Sequence, residues 1–162
     1  MLKLPTYKDL GINIKEILWK NDFKTFEDFK NAYSAPFCAI LGHYLHKNNK
    51  HTAENFSLAY NVIFYYGYIN QKREKELLNI LSEKGFSVKP SFLILDAVIG
   101  IDLIASFNDK TYVIQVKPNN KFNNFKYIKT YATKRNYYVI FAYKKQNKWF
   151  FYDKNMKEIT FI

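Results

Sequence analysis

Apolar residues recur at helical spacing through residues 1–70 and at strand spacing further along the chain. Ile12 to Lys20 reads as a short amphipathic helix. Thr25 offers an N-cap hydroxyl, Glu27 and Asp28 put acids in the first turn, and Phe26, Phe29 and Tyr33 follow on one stripe. Pro36 suits the start of a next helix running to about His46. After the polar break Asn48-Asn49-Lys50, Thr52 caps a helix with Phe56, Ala59, Tyr60 and Ile63 on one side, and Gly67 is its expected end. A clearer helix follows in QKREKELLNILSEKGF. Leu77, Leu78 and Leu81 share one side, Ile80 widens the stripe, and Gly85 stands where a left-handed C-cap is wanted, with Phe86 after it to pack back.

Shorter periods come next. Strands are expected at about Ser91–Leu95, Leu103–Phe107 and Thr111–Lys117, the last two forming a hairpin around the polar turn Asn108-Asp109. The basic segment Asn119 to Arg135 carries Phe122, Phe125, Tyr127, Ile128 and Tyr131 partly at helical spacing. Tyr137–Tyr143 and Trp149–Asp153 read as two more strands around a Lys-rich turn, with a short one at the end. Helix, three strands, helix and two strands predict a mixed α/β core over 71–162 with a central sheet. Residues 1–70 predict a separate helical region.

Composition narrows the class. Hydrophobic residues make up 48% of the 162, enough for a packed core. No apolar run approaches the ~20 residues a membrane span needs, and the first residues, MLKLPTYKDLG, lack the apolar centre of a signal peptide. Cys38 stands alone, which leaves no disulfide framework and no cysteine-based zinc site. A cytoplasmic location is the simplest reading, unless the protein is delivered as a toxin by another route.

The net charge is +11, unevenly spread. Residues 1–70 carry a net +2 and residues 71–162 a net +9; between Asp109 and Asp153 there are ten basic residues and no acid. A one-signed field of this kind attracts polyanions, nucleic acid being the commonest. A solvated surface on a Lys- and Asn-rich chain is the plainer reading.

The hairpin holds the candidate chemistry. On its second strand Tyr112, Ile114 and Val116 share one face, and Val113, Gln115 and Lys117 the other. In a sheet covered on both sides Lys117 needs an anionic partner, and Asp102, at the start of the neighbouring strand, is a candidate. The alternative is an edge hairpin with Gln115 and Lys117 in water. Other residues read as ordinary. Glu76 points away from Glu74 and is expected to be solvated, and Asp96 suits a turn. His43, His46 and His51 lack the cysteine or acid pattern of a zinc site.

Glu74 in KREKELLNILSEKGF, Asp102 in GIDLIA, and Gln115 with Lys117 in IQVK together resemble the core of the PD-(D/E)XK nuclease superfamily. The likeness is strongest to archaeal Holliday-junction resolvases and Mrr-like restriction nucleases. It covers roughly residues 71–155, with eleven residues from Glu74 to Gly85 and thirteen from Asp102 to Gln115. Gln115 departs from the commoner Glu, but Mrr-like members have Gln there.

The resemblance implies a restriction-endonuclease-like sheet flanked by helices, and a Mg2+- or Mn2+-dependent endonuclease acting on DNA. Asp102 would be the principal metal ligand, joined by the Gln115 side-chain oxygen and the Val116 carbonyl. Glu74 would complete the ligand set or hold a water there. Lys117 would orient that water or stabilise charge on the attacked phosphate. Lys121, Lys126, Lys129, Lys134 and Arg135 would hold the nucleic acid. The helical region would serve recognition or dimerisation, a homodimer being implied because two cuts need two sites. Two other outcomes stay open: an RNA- or DNA-cleaving toxin domain, and a non-catalytic nucleic-acid-binding module on the same fold.

Overall fold

The computed structural model describes residues 2–91, 99–118 and 125–162. The chain divides into two compact units, Met1–Gln71 and Lys72–Ile162. Among the described residues no helix is long and apolar enough to cross a membrane.

The first unit is helical: α1 (Tyr7–Leu10), α2 (Ile14–Lys20), α3 (Phe26–Lys47), α4 (Ala53–Ala59), a π-helical turn (Tyr60–Tyr65) and the first residues of α5 (Tyr66–Glu83). Side-chain caps start the helices. Asn13, Thr25 and Thr52 accept from the N–H groups of Glu16, Asp28 and Asn55 at 3.0, 3.1 and 3.1 Å. Pro36 does not begin a new helix; it lies inside the 22-residue α3. An interior proline costs about 3 kcal/mol. Phe29, Phe37, Leu41 and Leu45 are nevertheless all fully buried along this one helix, and each such burial returns about 1.5–3 kcal/mol.

Gly67 does not end the following helix either. The chain stays helical from Ala53 to Glu83, and a Cβ at Gly67 would stand 3.3 Å from Ile14 Cγ2, so this glycine permits close packing against α2. The buried residues here are Ala59, Phe64 and Tyr68. The five-residue step from 59 to 64 is longer than an α-helical period allows, and the π-helical turn absorbs it. Phe64 thereby reaches the core, its ring stacked 4.3 Å from that of Phe29.

In the second unit the remainder of α5 precedes a sheet. Among the described residues the strands are β1 (Ser87–Pro90), β2 (Leu103–Phe107), β3 (Lys110–Lys117), β4 (Tyr138–Lys145), β5 (Lys148–Tyr152) and β6 (Glu158–Ile159), side by side in chain order. All neighbours are antiparallel except β3 and β4, which are parallel. A parallel pair needs a crossover, and the segment that makes it contains α6 (Phe125–Arg135). The mixed α/β sheet flanked by helices is the class expected from sequence. A strand stands at Ser87–Pro90, ahead of the expected Ser91–Leu95; residues 92–95 of that expected strand and the turn position Asp96 lie outside the described residues. Both hairpin turns, Asn108-Asp109 and Gln146-Asn147, have positive φ at both central residues, the conformation whose twist matches paired strands.

The two sheet faces are distinct. Ile101, Val113, Val139, Phe141 and Tyr143 form one core cluster with Ile128 and Ala132 of α6. On β4 the opposite face carries Ile140, Ala142 and Lys144, and Lys144 binds Glu76 of α5. At the end of α5, Gly85 is left-handed (φ 97) and Phe86 N–H donates to Leu81 C=O at 3.0 Å. The Phe86 ring stacks on Phe107 at 4.9 Å.

Candidate active site

β3 lies between β2 and β4, so its polar residues do not sit at a sheet edge. Gln115 is buried, only 6% exposed, which removes the reading of a residue simply in water. Lys117, two residues on, is half-buried. Both share a face with Val113, on the α6 side.

Asp102 arrives by an irregularity. Leu103 pairs with Ile114 in the β2–β3 register, yet the Asp102 N–H also donates to the Ile114 carbonyl, at 2.8 Å. Two residues of one strand thus face one residue of the other, as in a β-bulge, and a bulge re-aims the side chain it carries. On the other side the Asp102 carbonyl accepts from Ser91 N–H at 2.9 Å, and the Ser91 hydroxyl donates to the Ile101 carbonyl. The re-aimed carboxylate accepts from Val116 N–H through Oδ2 at 2.7 Å. A strand N–H lies in the sheet plane, and the C=O of the same residue points to the same side. Hence the Asp102 carboxylate and the Val116 carbonyl are neighbours at the gap beside the bulge.

Gln115 precedes Val116 on β3. Its carboxamide packs on Gly100, where a Cβ would lie 2.5 Å from Nε2. Its Oε1 is buried with no hydrogen-bond partner among the described residues. A buried amide oxygen left so is uncommon, and an ion or a water is a usual explanation. Amide, carboxylate and carbonyl are the hard oxygens that magnesium-like cations take.

Glu74 comes from a different element. It is 5% exposed on α5 and belongs to the helix stripe that buries Gln71, Leu77 and Leu81. A carboxylate on an apolar stripe is costly without compensation, so this position is not an ordinary surface glutamate. Glu76 is not simply solvated, as its sequence position suggested. Both its oxygens accept from Lys144 Nζ, at 2.7 and 2.8 Å. Lys144 reaches it because β4 extends past the last β3–β4 pair, Lys117 with Tyr143. The ion pair therefore ties α5 to the end of the sheet that carries Lys117. Among the described residues no group of three or more His, Cys, Asp or Glu side chains is arranged to hold a metal. The set implied by sequence has two carboxylates, and its other donors are an amide and a carbonyl.

On α6, Ile128 and Ala132 face the sheet, while Lys126, Tyr127, Thr130 and Lys134 are exposed. Lys129 is half-buried. Arg135 stacks on Tyr131, its guanidinium carbon 3.7 Å from the ring centroid. Lys121 lies outside the described residues. Behind Lys117 on the same face, the Tyr143 and Tyr152 rings stack at 5.9 Å. The hydrogen bond that the Tyr152 hydroxyl donates to the Tyr143 side chain, then burial, pushes the Tyr152 phenol up to about 12.

Sequence reasoning passed over Gly100. Its signal was a glycine two residues before the carboxylate, in GID. The bulge at Asp102 had no signal at all.

No family model matches the sequence, and no curated protein matches it. Among solved structures the chain is similar to Hjc, a Holliday junction resolvase from the archaeal hyperthermophile Archaeoglobus fulgidus. The TM-score is 0.45 at 20% identity, covering 52% of this chain and 75% of that chain.

Proposed function

We propose that this protein is a metal-dependent endonuclease that hydrolyses phosphodiester bonds in DNA. One observation carries the reading: the Asp102 carboxylate is held on the N–H of Val116, which stands on β3 between Lys117 and Gln115, whose buried Oε1 has no hydrogen-bond partner among the described residues. The donors fit a magnesium or manganese ion, because all are hard oxygens and one is a buried atom in want of a partner. Asp102, Gln115 and the Val116 carbonyl would hold the ion, and Glu74 would complete the set.

When bound, the cation supplies Lewis-acid chemistry, polarising a phosphoryl oxygen and making hydroxide available near neutral pH. The chain's own groups do the rest. Val116 N–H fixes the direction of the Asp102 carboxylate. Lys117, a compact charge on a flexible stem, stabilises the negative charge that grows on the attacked phosphate. The exposed face of α6, with Lys126 and Lys134, holds the flanking phosphates and sets register without reading sequence. Met1–Gln71 supplies substrate recognition or dimerisation. Each chain carries one such set of residues, so a double-strand cut calls for a homodimer.

The test is a panel of plasmid, four-way junction, single-stranded DNA and tRNA, each incubated with Mg2+, Mn2+ or EDTA. At least one DNA should be cut in Mg2+ or Mn2+ and none in EDTA, with activity lost in Asp102→Asn. Cleavage of tRNA alone would move the substrate to RNA. Binding that ignores the metal, with no cutting of anything, would make the protein a non-catalytic binding module.

A further inference from the structure

We propose that Gly100 is a positioning residue for Gln115: the space left by its absent side chain receives the Gln115 carboxamide and thereby fixes where Oε1 points. The inference rests on the reading of Asp102, Gln115 and Val116 as a cation site.

Two constraints meet at Gly100. Its φ of 83° lies in the left-handed region, which favours glycine. Independently, a Cβ there would stand 2.5 Å from Gln115 Nε2 and 3.7 Å from Cδ. The first constraint would act whatever residue stood at 115. The second exists only because of Gln115. A carboxamide is planar and rigid, so fixing its nitrogen edge against Gly100 fixes the oxygen on the other branch. Gln115 is too buried to relax into solvent. A methyl group at 100 must displace the amide, and with it the oxygen. Groups that orient a metal ligand without touching the metal are commonly worth about 10–100-fold in metal affinity.

Mg2+ affinity measured by calorimetry on the protein without nucleic acid, together with the Mg2+-dependent rise in Tm, tests this in four proteins: wild type, Gly100→Ala, Gln115→Ala and the double variant. Gly100→Ala should weaken Mg2+ binding about tenfold or more in the wild-type background. In the Gln115→Ala background the same change should alter Mg2+ affinity less than about twofold, since the clash is gone, while still lowering Tm through backbone strain. Gly100→Asn carries a Cβ but tolerates positive φ better. It should reproduce the loss of affinity with a smaller loss of Tm, and it serves if Gly100→Ala does not fold. Equal losses of affinity in both backgrounds, or an unchanged affinity in folded Gly100→Asn, would reduce Gly100 to a backbone role and leave the cation site standing. Wild type and Asp102→Asn equally blind to Mg2+ would remove the site itself.

Discussion

The Asp102 carboxylate and the Val116 N–H meet at 2.7 Å beside a bulge in β2. The bond does two jobs: it satisfies a strand N–H that the bulge takes out of the ladder, and it fixes the direction of a carboxylate against the strand that carries Gln115 and Lys117. Substitutions separate them. Asp102→Asn keeps an acceptor for Val116, and Asp102→Ala does not. Both should abolish cleavage, with DNA affinity unchanged or raised because a carboxylate near phosphate is lost. The Ala variant should be the less stable, by about 1–3 kcal/mol, the cost of leaving such a donor unmade. Cleavage assays and denaturant melts check this, and wild-type cutting in either variant would remove Asp102 from the chemistry.

Gln115→Glu adds an anionic oxygen to a buried position. Activity should survive, with the metal requirement shifted to lower concentration. Without metal the variant should melt below wild type, because burial penalises a carboxylate. Mg2+ should then raise its Tm by more than it raises that of wild type. A variant that is folded but inert at every metal concentration would assign Gln115 a role other than oxygen donor.

Lys117→Ala should lower turnover by about 10²-fold or more, the range for losing one preorganised charge-stabilising group. DNA binding should fall far less, since this is one ammonium among many. Lys117→Arg should not restore turnover, because the planar fork cannot occupy the same point. Single-turnover cleavage and gel-shift affinity on one substrate separate the effects. Equal losses in both would make Lys117 a binding residue.

Neutralising Lys126 and Lys134, both exposed on α6, should weaken binding to all duplex sequences alike. Each lost phosphate contact should reduce the log–log salt slope by about 0.9. A slope that stays at the wild-type value would leave these lysines merely solvated.

Tyr152 gives the second unit an alkaline limit. Its phenol is pushed up to about 12, chiefly by the hydrogen bond it donates to Tyr143 and then by burial, whereas an unfolded tyrosine titrates near ~10. Above that value the unfolded state gives up the proton first. The contribution is therefore fully present below about pH 10 and is lost as pH rises to about 12. Urea midpoints measured across this range should fall, and Tyr152→Phe should flatten the fall. An equally steep decline in the variant would place the alkaline transition elsewhere.

Local chemistry alone determined the starts of α3 and α4 at the caps Thr25 and Thr52, the hairpin turns and the identity of the polar residues on β3. A capping hydroxyl, a pair of turn residues and a two-residue alternation act over a few positions, so they are written in order along the chain. The continuity of the long helices was not legible. Pro36 and Gly67 are breakers by local propensity, but both lie inside continuous helices, because the buried stripe of α3 and the contact of Gly67 with Ile14 outweigh that propensity. The candidate site divides the same way. Strand alternation put Gln115 and Lys117 on one face and the hairpin made Asp102 a candidate partner, but it was the family resemblance that named the three as a site. Only the tertiary structure decided that β3 is an inner strand, that a bulge turns Asp102 onto Val116, that Gln115 leans on Gly100, and that Lys144 ties down Glu76. Each of these depends on distance between residues remote in sequence or on a one-residue slip in register, and neither leaves a periodic trace in the chain.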